Sequence, residues 1–261
     1  MKEDIIIEEK IHLHNAIMVI GLSGWVNAGE VSTFAVKYLV DNMGARRFGE
    51  IPAERFHDYF VQRPLVSVKQ GVVQSYSPPR NNLYFCQRKD DNVDLVLLLG
   101  CEPHLNWTGY AKAVLGLAKE TGVVRVYALG GYIADISEES DVRVTASTTN
   151  EKLVPELREA GLELTSYQGP TSVYSEIMWT AREMGVDVIS LWCAVPVYVI
   201  GHCPGAAYAI LKKVAQLSGI KLDLKDIKEK AESFRAQFER RSEDYLQLHR
   251  RKVAKEPSYI F

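Results

Sequence analysis

A chain of 261 residues has the length of one large α/β domain with an appendage, so two independent domains are not required. Apolar residues at 47% and charged residues at 25% are the balance of an ordinary globular protein, and a net charge of −2 supplies no footprint for nucleic acid or anionic lipid. No apolar run reaches the roughly 18 residues that span a bilayer, and the acidic N-terminus MKEDIIIEEK lacks the apolar core of a signal peptide, so neither membrane nor nucleic acid is an expected partner and the expected location is the cytoplasm.

In chain order, 16–22 (AIMVIGL) reads as a buried strand and 28–42 as the helix after it. Residues 46–88 form a more irregular, partly β region, broken by Pro52, Pro64, Pro78 and Pro79. Residues 93–100 (VDLVLLLG) are the strongest central-strand pattern, followed by a helix over 107–121 and a strand over 123–129. A short strand near 142–147, helices over 150–160 and 171–184, a buried strand over 186–193 and a helix over 204–218 complete the domain. Continuous apolar strands alternating with helices predict an α/β fold, a three-layer α/β/α sandwich with a mainly parallel sheet. The domain is expected to end near 220, with a helical arm and short tail over 221–261.

The arm carries apolar residues at Leu224, Ile227, Ala231, Phe234, Phe238, Tyr245 and Leu248, at intervals of three and four, with Arg241 in the skipped slot. This heptad seam predicts a long C-terminal amphipathic, coiled-coil-like helix, with Asp223 as its cap and Pro257 as its stop. Ile227, Phe234, Phe238, Tyr245 and Leu248 are therefore interface candidates; the competing reading lays the helix across its own sheet.

In an open parallel sheet, ligands bind beyond the carboxyl ends of the strands, and four loops occupy such positions. The first, Gly21-Leu-Ser-Gly-Trp-Val-Asn-Ala-Gly29, offers Ser23, Trp25, Asn27 and Gly29, with backbone N–H groups placed to receive an anion. It matches neither the dinucleotide fingerprint nor a P-loop, and Trp25 stands where a nucleophile elbow needs its second Gly. Asn27 and Glu30 approach a capping box, which makes Glu30 a cap partner rather than a general base. The second, Gly100 to Trp107, holds Glu102 and His104, the residue types of an acid/base pair; Pro103 with Asn106 reads more simply as a turn into a capped helix. The third, Leu129 to Asp135, offers Gly130, Gly131 and Asp135; paired glycines point to close backbone approach or positive φ. The fourth runs from Pro196 to Gly205, with His202 beside Cys203 on opposite faces of an extended segment. His12 and His14 alternate on an early strand and do not by themselves make a metal site. Cys86, Cys101, Cys193 and Cys203 lack C-x-x-C spacing and read as buried thiols. No metal, cofactor or catalytic residue is expected.

Taken in order, G-x-S-G-W-x-N-A-G at 21–29, L-G-x-E-P at 99–103, L-G-G-x-x-A-D at 129–135, G-P-T-S at 169–172, S-L-W-x-A-x-P-x-Y at 190–198 and P-G-A-A at 204–207 resemble the proteasome assembly chaperone 2 family, from about Ile17 to Ser218. Prokaryotic members have carried an ATP-grasp or carboxylate–amine ligase label, which no phosphate-cradling glycine loop with a Lys supports here. Members commonly carry Asp where this chain has Asn27, which removes a carboxylate from the first loop. The resemblance implies a purine nucleoside phosphorylase-like fold, homo-oligomers such as trimers among prokaryotic members, and proteasome-like subunits as partners. Some archaeal relatives dock through a C-terminal hydrophobic–Tyr–any-residue tail; here Tyr259 is one position too early, in an apolar ending that closes on Phe261. The expectation is a non-enzymatic, homo-oligomeric protein-binding or scaffolding protein. The alternative is an enzyme or small-molecule binder taking a nucleotide-like or carboxylate ligand in the strand-end crevice.

Overall fold

Ala16 to Leu22 are buried without interruption, because the strand they form, β2 (Ala16–Ser23), lies at the middle of a nine-stranded sheet with both faces covered. The computed structural model describes residues 4–88, 92–136, 142–197, 199 and 201–236. The chain begins with β1 (Ile6–Ile7), β2, α1 (Val31–Asn42), β3 (Arg46–Ile51), β4 (Leu65–Lys69), β5 (Val72–Ser77), β6 (Asn81–Cys86), β7 (Leu95–Cys101) and α2 (Trp107–Glu120). It continues with β8 (Val123–Ala134), β9 (Val144–Thr148), α3 (Val154–Glu159), β10 (Glu163–Leu164), α4 (Val173–Met184), β11 (Val188–Pro196), α5 (Pro204–Ser218) and a helix α6 over 225–236.

The sheet order is β1-β3-β6-β7-β2-β8-β11-β9-β10. The four central strands β7, β2, β8 and β11 pair in parallel. Both flanks bring in antiparallel pairs, β6 on β7 and β3 on β6 at one side and β9 on β11 at the other. Alternation along β2 divides the core into two halves. Ile17 and Val19 pack with α1, α3 and α5, whereas Met18, Ile20 and Leu22 pack with α2 and α4. These are the three layers that alternating apolar strands and helices predict.

Three differences have local causes. The strand expected to stop at 129 continues as β8 to Ala134, because Gly130 to Ala134 keep pairing with Trp192 to Pro196 of β11. The irregular region over 46–88 resolves into β3 and β6 in the main sheet, with β4 and β5 forming a separate hairpin between them. His12 and His14 lie in no strand; the His14 backbone N–H instead donates to Asp94 at 2.8 Å.

The C-terminal seam begins inside the domain. Ile227 is fully buried in the core shared with α1 and α5, Leu224 and Phe234 pack against that core, and the Tyr38 hydroxyl donates to the Asp223 carbonyl at 3.0 Å. Asp223 receives the Lys225 backbone N–H at 3.0 Å, as its capping role predicts. Ile227, expected at an interface, is thus covered by its own chain: α6 needs an apolar surface to lie on, and α1 and α5 supply one. The remaining seam and tail positions, Phe238, Arg241, Tyr245, Leu248, Tyr259 and Phe261, lie outside the described residues. Among the described residues, no helix is long and apolar enough to cross a membrane.

Replacing Ile227 with Ala should lower unfolding stability by about 2–5 kcal/mol in urea titrations, the range for a buried aliphatic truncation. A change below about 0.5 kcal/mol, the size typical of a surface substitution, would remove α6 from the core.

Candidate functional site

Strands β2 and β7 run side by side to their carboxyl ends, where Ser23 pairs with Cys101, so their loops leave the sheet together. The Glu102 backbone N–H donates to the Ser23 carbonyl at 2.8 Å. The Glu102 side chain then spans three segments: Oε2 accepts the Trp25 N–H at 2.9 Å and Oε1 accepts the Val173 N–H at 3.0 Å. Val173 opens α4, so the carboxylate also sits at the positive end of a helix dipole. Gly24, at φ +113°, must lack a side chain here, since a Cβ would lie 2.9 Å from the Glu102 Cβ.

A second anchor lies behind the first. Asn81 is fully buried, and its Oδ1 accepts the Cys101 N–H at 2.6 Å. Its Nδ2 therefore faces His57 Nε2 at 3.3 Å and donates to it, which puts the imidazole proton on Nδ1, a buried atom with no partner among the described residues. Burial, and then the neighbouring His104, push the His57 pKa down to about 4. The two rings meet edge to face at 5.4 Å. Gly100 makes the approach of Asn81 feasible, because a Cβ there would fall 1.8 Å from Asn81 Oδ1.

In front of these anchors is an open cleft of about 680 Å³. Ser23, Gly24 and Trp25 form one wall, Glu102, Pro103, His104 and Trp107 the floor, and Val61, Gln62, Pro170 and Thr171 the remaining rim. Trp25 is 62% exposed, while the Trp107 indole is fixed by donating to the Pro103 carbonyl at 2.7 Å. His104 Nδ1 accepts the Asp58 N–H at 3.2 Å, so the neutral ring presents an Nε2–H donor rather than a base. With both Glu102 oxygens held by backbone donors, the floor offers a hydrogen-bond donor and aromatic surface rather than an acid/base couple. Beneath it, the buried Tyr174 hydroxyl lies 3.0 Å from Ser32 Oγ and accepts the Leu22 N–H at 3.1 Å. Burial raises the Tyr174 phenol well above its ordinary range, as it does that of Tyr110.

Of the residues singled out in the sequence, Ser23, Trp25, Glu102 and His104 meet in this cleft. Asn27 and Gly29 do not line it. The Asn27 side chain caps α1 through the Thr33 N–H at 3.0 Å and the Thr33 hydroxyl at 2.9 Å. The Glu30 side chain takes no part in that cap, although Glu30 occupies the N-cap position itself. Its backbone is left-handed, at φ +51°, and its carboxylate meets His202 Nδ1 at 2.6 Å. Gly29 beside it is also left-handed, at φ +56°, and is pressed so closely on Val195 and Cys203 that a Cβ would lie 2.8 and 2.9 Å from them. Gly130 and Gly131 are strand residues: the first leaves room for the Trp192 ring and the second for the Ala28 carbonyl. Asp135 follows the end of β8 and is exposed outside the cleft.

The four expected loops therefore separate into two places. The fourth borders a different groove, of about 450 Å³, through Pro196, Cys203 and Gly205, with α5 and α6 as its far wall; the third only approaches it, through Ile136 just beyond its end. Sequence reasoning did not find Val61, Gln62, Pro170 and Thr171. The signal for the last two was Ser172, which caps α4 through the Tyr174 N–H and so marks a strand-end loop. Among the described residues no group of three or more His, Cys, Asp or Glu could hold a metal ion. The Asn106 cap expected in the second loop is present, its side chain accepting the Gly109 N–H at 3.2 Å.

Substituting Glu102 by Ala leaves two backbone donors without their carboxylate and should cost about 2–3 kcal/mol in denaturant titrations. His57 gives a pH signature. Its folded-state pKa lies below the unfolded value of 6.5, so the stability tied to the neutral ring is complete above pH 6.5 and is lost as pH falls towards 4. The loss should reach up to about 3 kcal/mol. Melting curves from pH 7 to 4 should show it in the parent chain and a shallower decline in His57→Gln; parallel declines would assign the sensitivity elsewhere.

Comparison with known proteins follows the same architecture. The PAC2 family model matches residues 21–241, a span that takes in α6 as well as the sheet domain. A PAC2 family protein from Streptomyces avermitilis is 30% identical with a TM-score of 0.79, the match covering 86% of this chain and 95% of that one. A proteasome-assembly chaperone homologue from Mycobacterium tuberculosis is 27% identical with a TM-score of 0.79, over 86% of this chain and 94% of the other. An archaeal proteasome activator from Pyrococcus furiosus shares the fold at 21% identity and a TM-score of 0.72, over 92% and 98%. No curated protein matches the chain. By the extent of the family match, this chain belongs to the PAC2 family.

Proposed function

We propose that the chain is a non-enzymatic, homo-oligomeric protein-binding protein of the proteasome-assembly type, which receives a segment of a proteasome-like subunit in the cleft between Trp25 and Trp107. The observation that carries this reading is the state of the cleft's polar groups. Both Glu102 oxygens and His104 Nδ1 are engaged by backbone N–H groups, so they shape the surface and are not poised for proton transfer. What remains on offer is mostly aromatic and apolar, from Trp25, Trp107, Val61, Pro103 and Pro170, with His104 Nε2–H and the side chains of Ser23, Gln62 and Thr171 as polar groups. Aromatic anchors, one of them held by its own hydrogen bond, beside a few polar groups suit recognition of a peptide segment. Family membership and the likeness to the mycobacterial proteasome-assembly chaperone homologue support the choice of partner.

A second reading, a small-molecule ligand in the same cleft, is favoured by its volume, which is within the range of about 300–1,000 Å³ usual for such sites. Titration of the full chain against purified proteasome α-subunits from the same source separates the two. Saturable binding that weakens about tenfold in Trp25→Ala, roughly 1.4 kcal/mol, is expected. Absence of binding, together with a thermal shift on adding nucleotides or small carboxylic acids, would replace the first reading with the second.

A further inference from the structure

The hairpin of β4 and β5 forms a two-stranded sheet apart from the main one, and every residue in both strands is exposed. Gln70 and Gly71, both at positive φ, make the tight turn that sets its register. Its exposed residues are not those of a solvated loop. Leu65, Val66, Val68, Val72, Val73 and Tyr76 are each more than half exposed, and Phe60 and Val61 just before the hairpin are more exposed still than most of them. Leu65–Val66 and Val72–Val73 are sequence neighbours, so the pleat sends apolar side chains to both faces. A lone two-stranded hairpin is at best marginally stable in water, and apolar surface with free edges on both sides is an aggregation hazard.

We infer that this hairpin is an arm through which the chain pairs with a second copy of itself. Three observations point to that occupant. The first is area: fully burying an aliphatic side chain removes about 60–120 Å² from water and an aromatic one 150–250 Å². At more than half exposure Phe60 and the six apolar residues of the hairpin, leaving out Val61 because it lines the cleft, hold on the order of 500 Å² of apolar surface, well over half of the ~800 Å² per partner of a stable interface. The second is charge: Lys69 is the one charged residue in 65–77, so two copies meet without mutual repulsion and no oppositely charged partner is called for. The third is supply, because a cover needed whenever the chain is folded is always present when it is the chain itself. An antiparallel edge is self-complementary across a two-fold axis, each copy donating and accepting the same set of backbone hydrogen bonds.

This inference makes concrete the homo-oligomeric part of the reading above, and it fails separately from partner binding at the cleft. The test is sedimentation of the full chain at micromolar concentration beside Val66→Glu/Val73→Glu, with far-ultraviolet circular dichroism and a thermal melt on both. An oligomeric parent and a variant that dissociates at least 100-fold more readily, with an unchanged spectrum, are expected. A monomeric parent overturns the inference, as does an oligomer of unchanged mass and affinity in the variant, which would move the joint elsewhere. If the double substitution unfolds the domain, replacement of 65–77 by a Gly-Ser linker decides the question: a folded monomer supports the arm and a retained oligomer overturns it. Binding of α-subunits, measured in parallel, reports on the cleft independently of either result.

Discussion

Two carboxylate oxygens hold the working end of this molecule together. Glu102 leaves the sheet at the tip of β7 and meets backbone donors from the loop after β2 and from the first turn of α4, segments 77 and 71 residues away in sequence. Each contact removes a donor that the strand-to-helix geometry leaves without a partner, and the negative charge lies where the α4 dipole favours it. Much of the local sequence follows from that arrangement. Gly24 is required because the carboxylate stem passes against it, and Gly100 because Asn81 takes the adjoining space. A site built this way has an outline fixed by the backbone donors on Glu102 and by the glycines that admit it.

The layered architecture was legible because burial on two faces leaves a strong trace. Residues 16–22, 95–100 and 188–193 are almost wholly apolar without alternation, and all three contribute central parallel strands. The outer strands left weaker traces. In β4 and β5 apolar residues occupy both faces although neither face meets the rest of the fold, a pattern that local sequence cannot distinguish from a buried strand. The heptad seam had the opposite difficulty: its spacing predicts a helix correctly at Ile227, but spacing is silent on whether the covering surface belongs to the same chain.

At the site, residue types were readable and their employment was not. Glu102 and His104 stood out as an acid/base pattern, yet their roles depend on backbone N–H groups of Trp25, Asp58 and Val173, brought up only by the fold. The paired glycines at 130–131 were correctly tied to close approach, but what approaches is the Trp192 ring and the Ala28 carbonyl, from β11 and the turn before α1. Glu30 was read from a four-residue window as a cap, whereas its carboxylate meets His202, which the fold brings up from the segment after β11.

The order of the central strands also constrains when the chain can fold. Across the sheet the sequence β7, β2, β8, β11 puts β2 between strands that follow it by about eighty to a hundred residues, and β11 closes the parallel set only at Pro196. A ribosome must therefore release most of the chain before β8 has both neighbours, and until then one edge of β8 is unpaired, while α1 still lacks α5 against it. Vectorial synthesis thus gives this topology a long interval with an unpaired central edge, the condition under which edge-to-edge association is favoured.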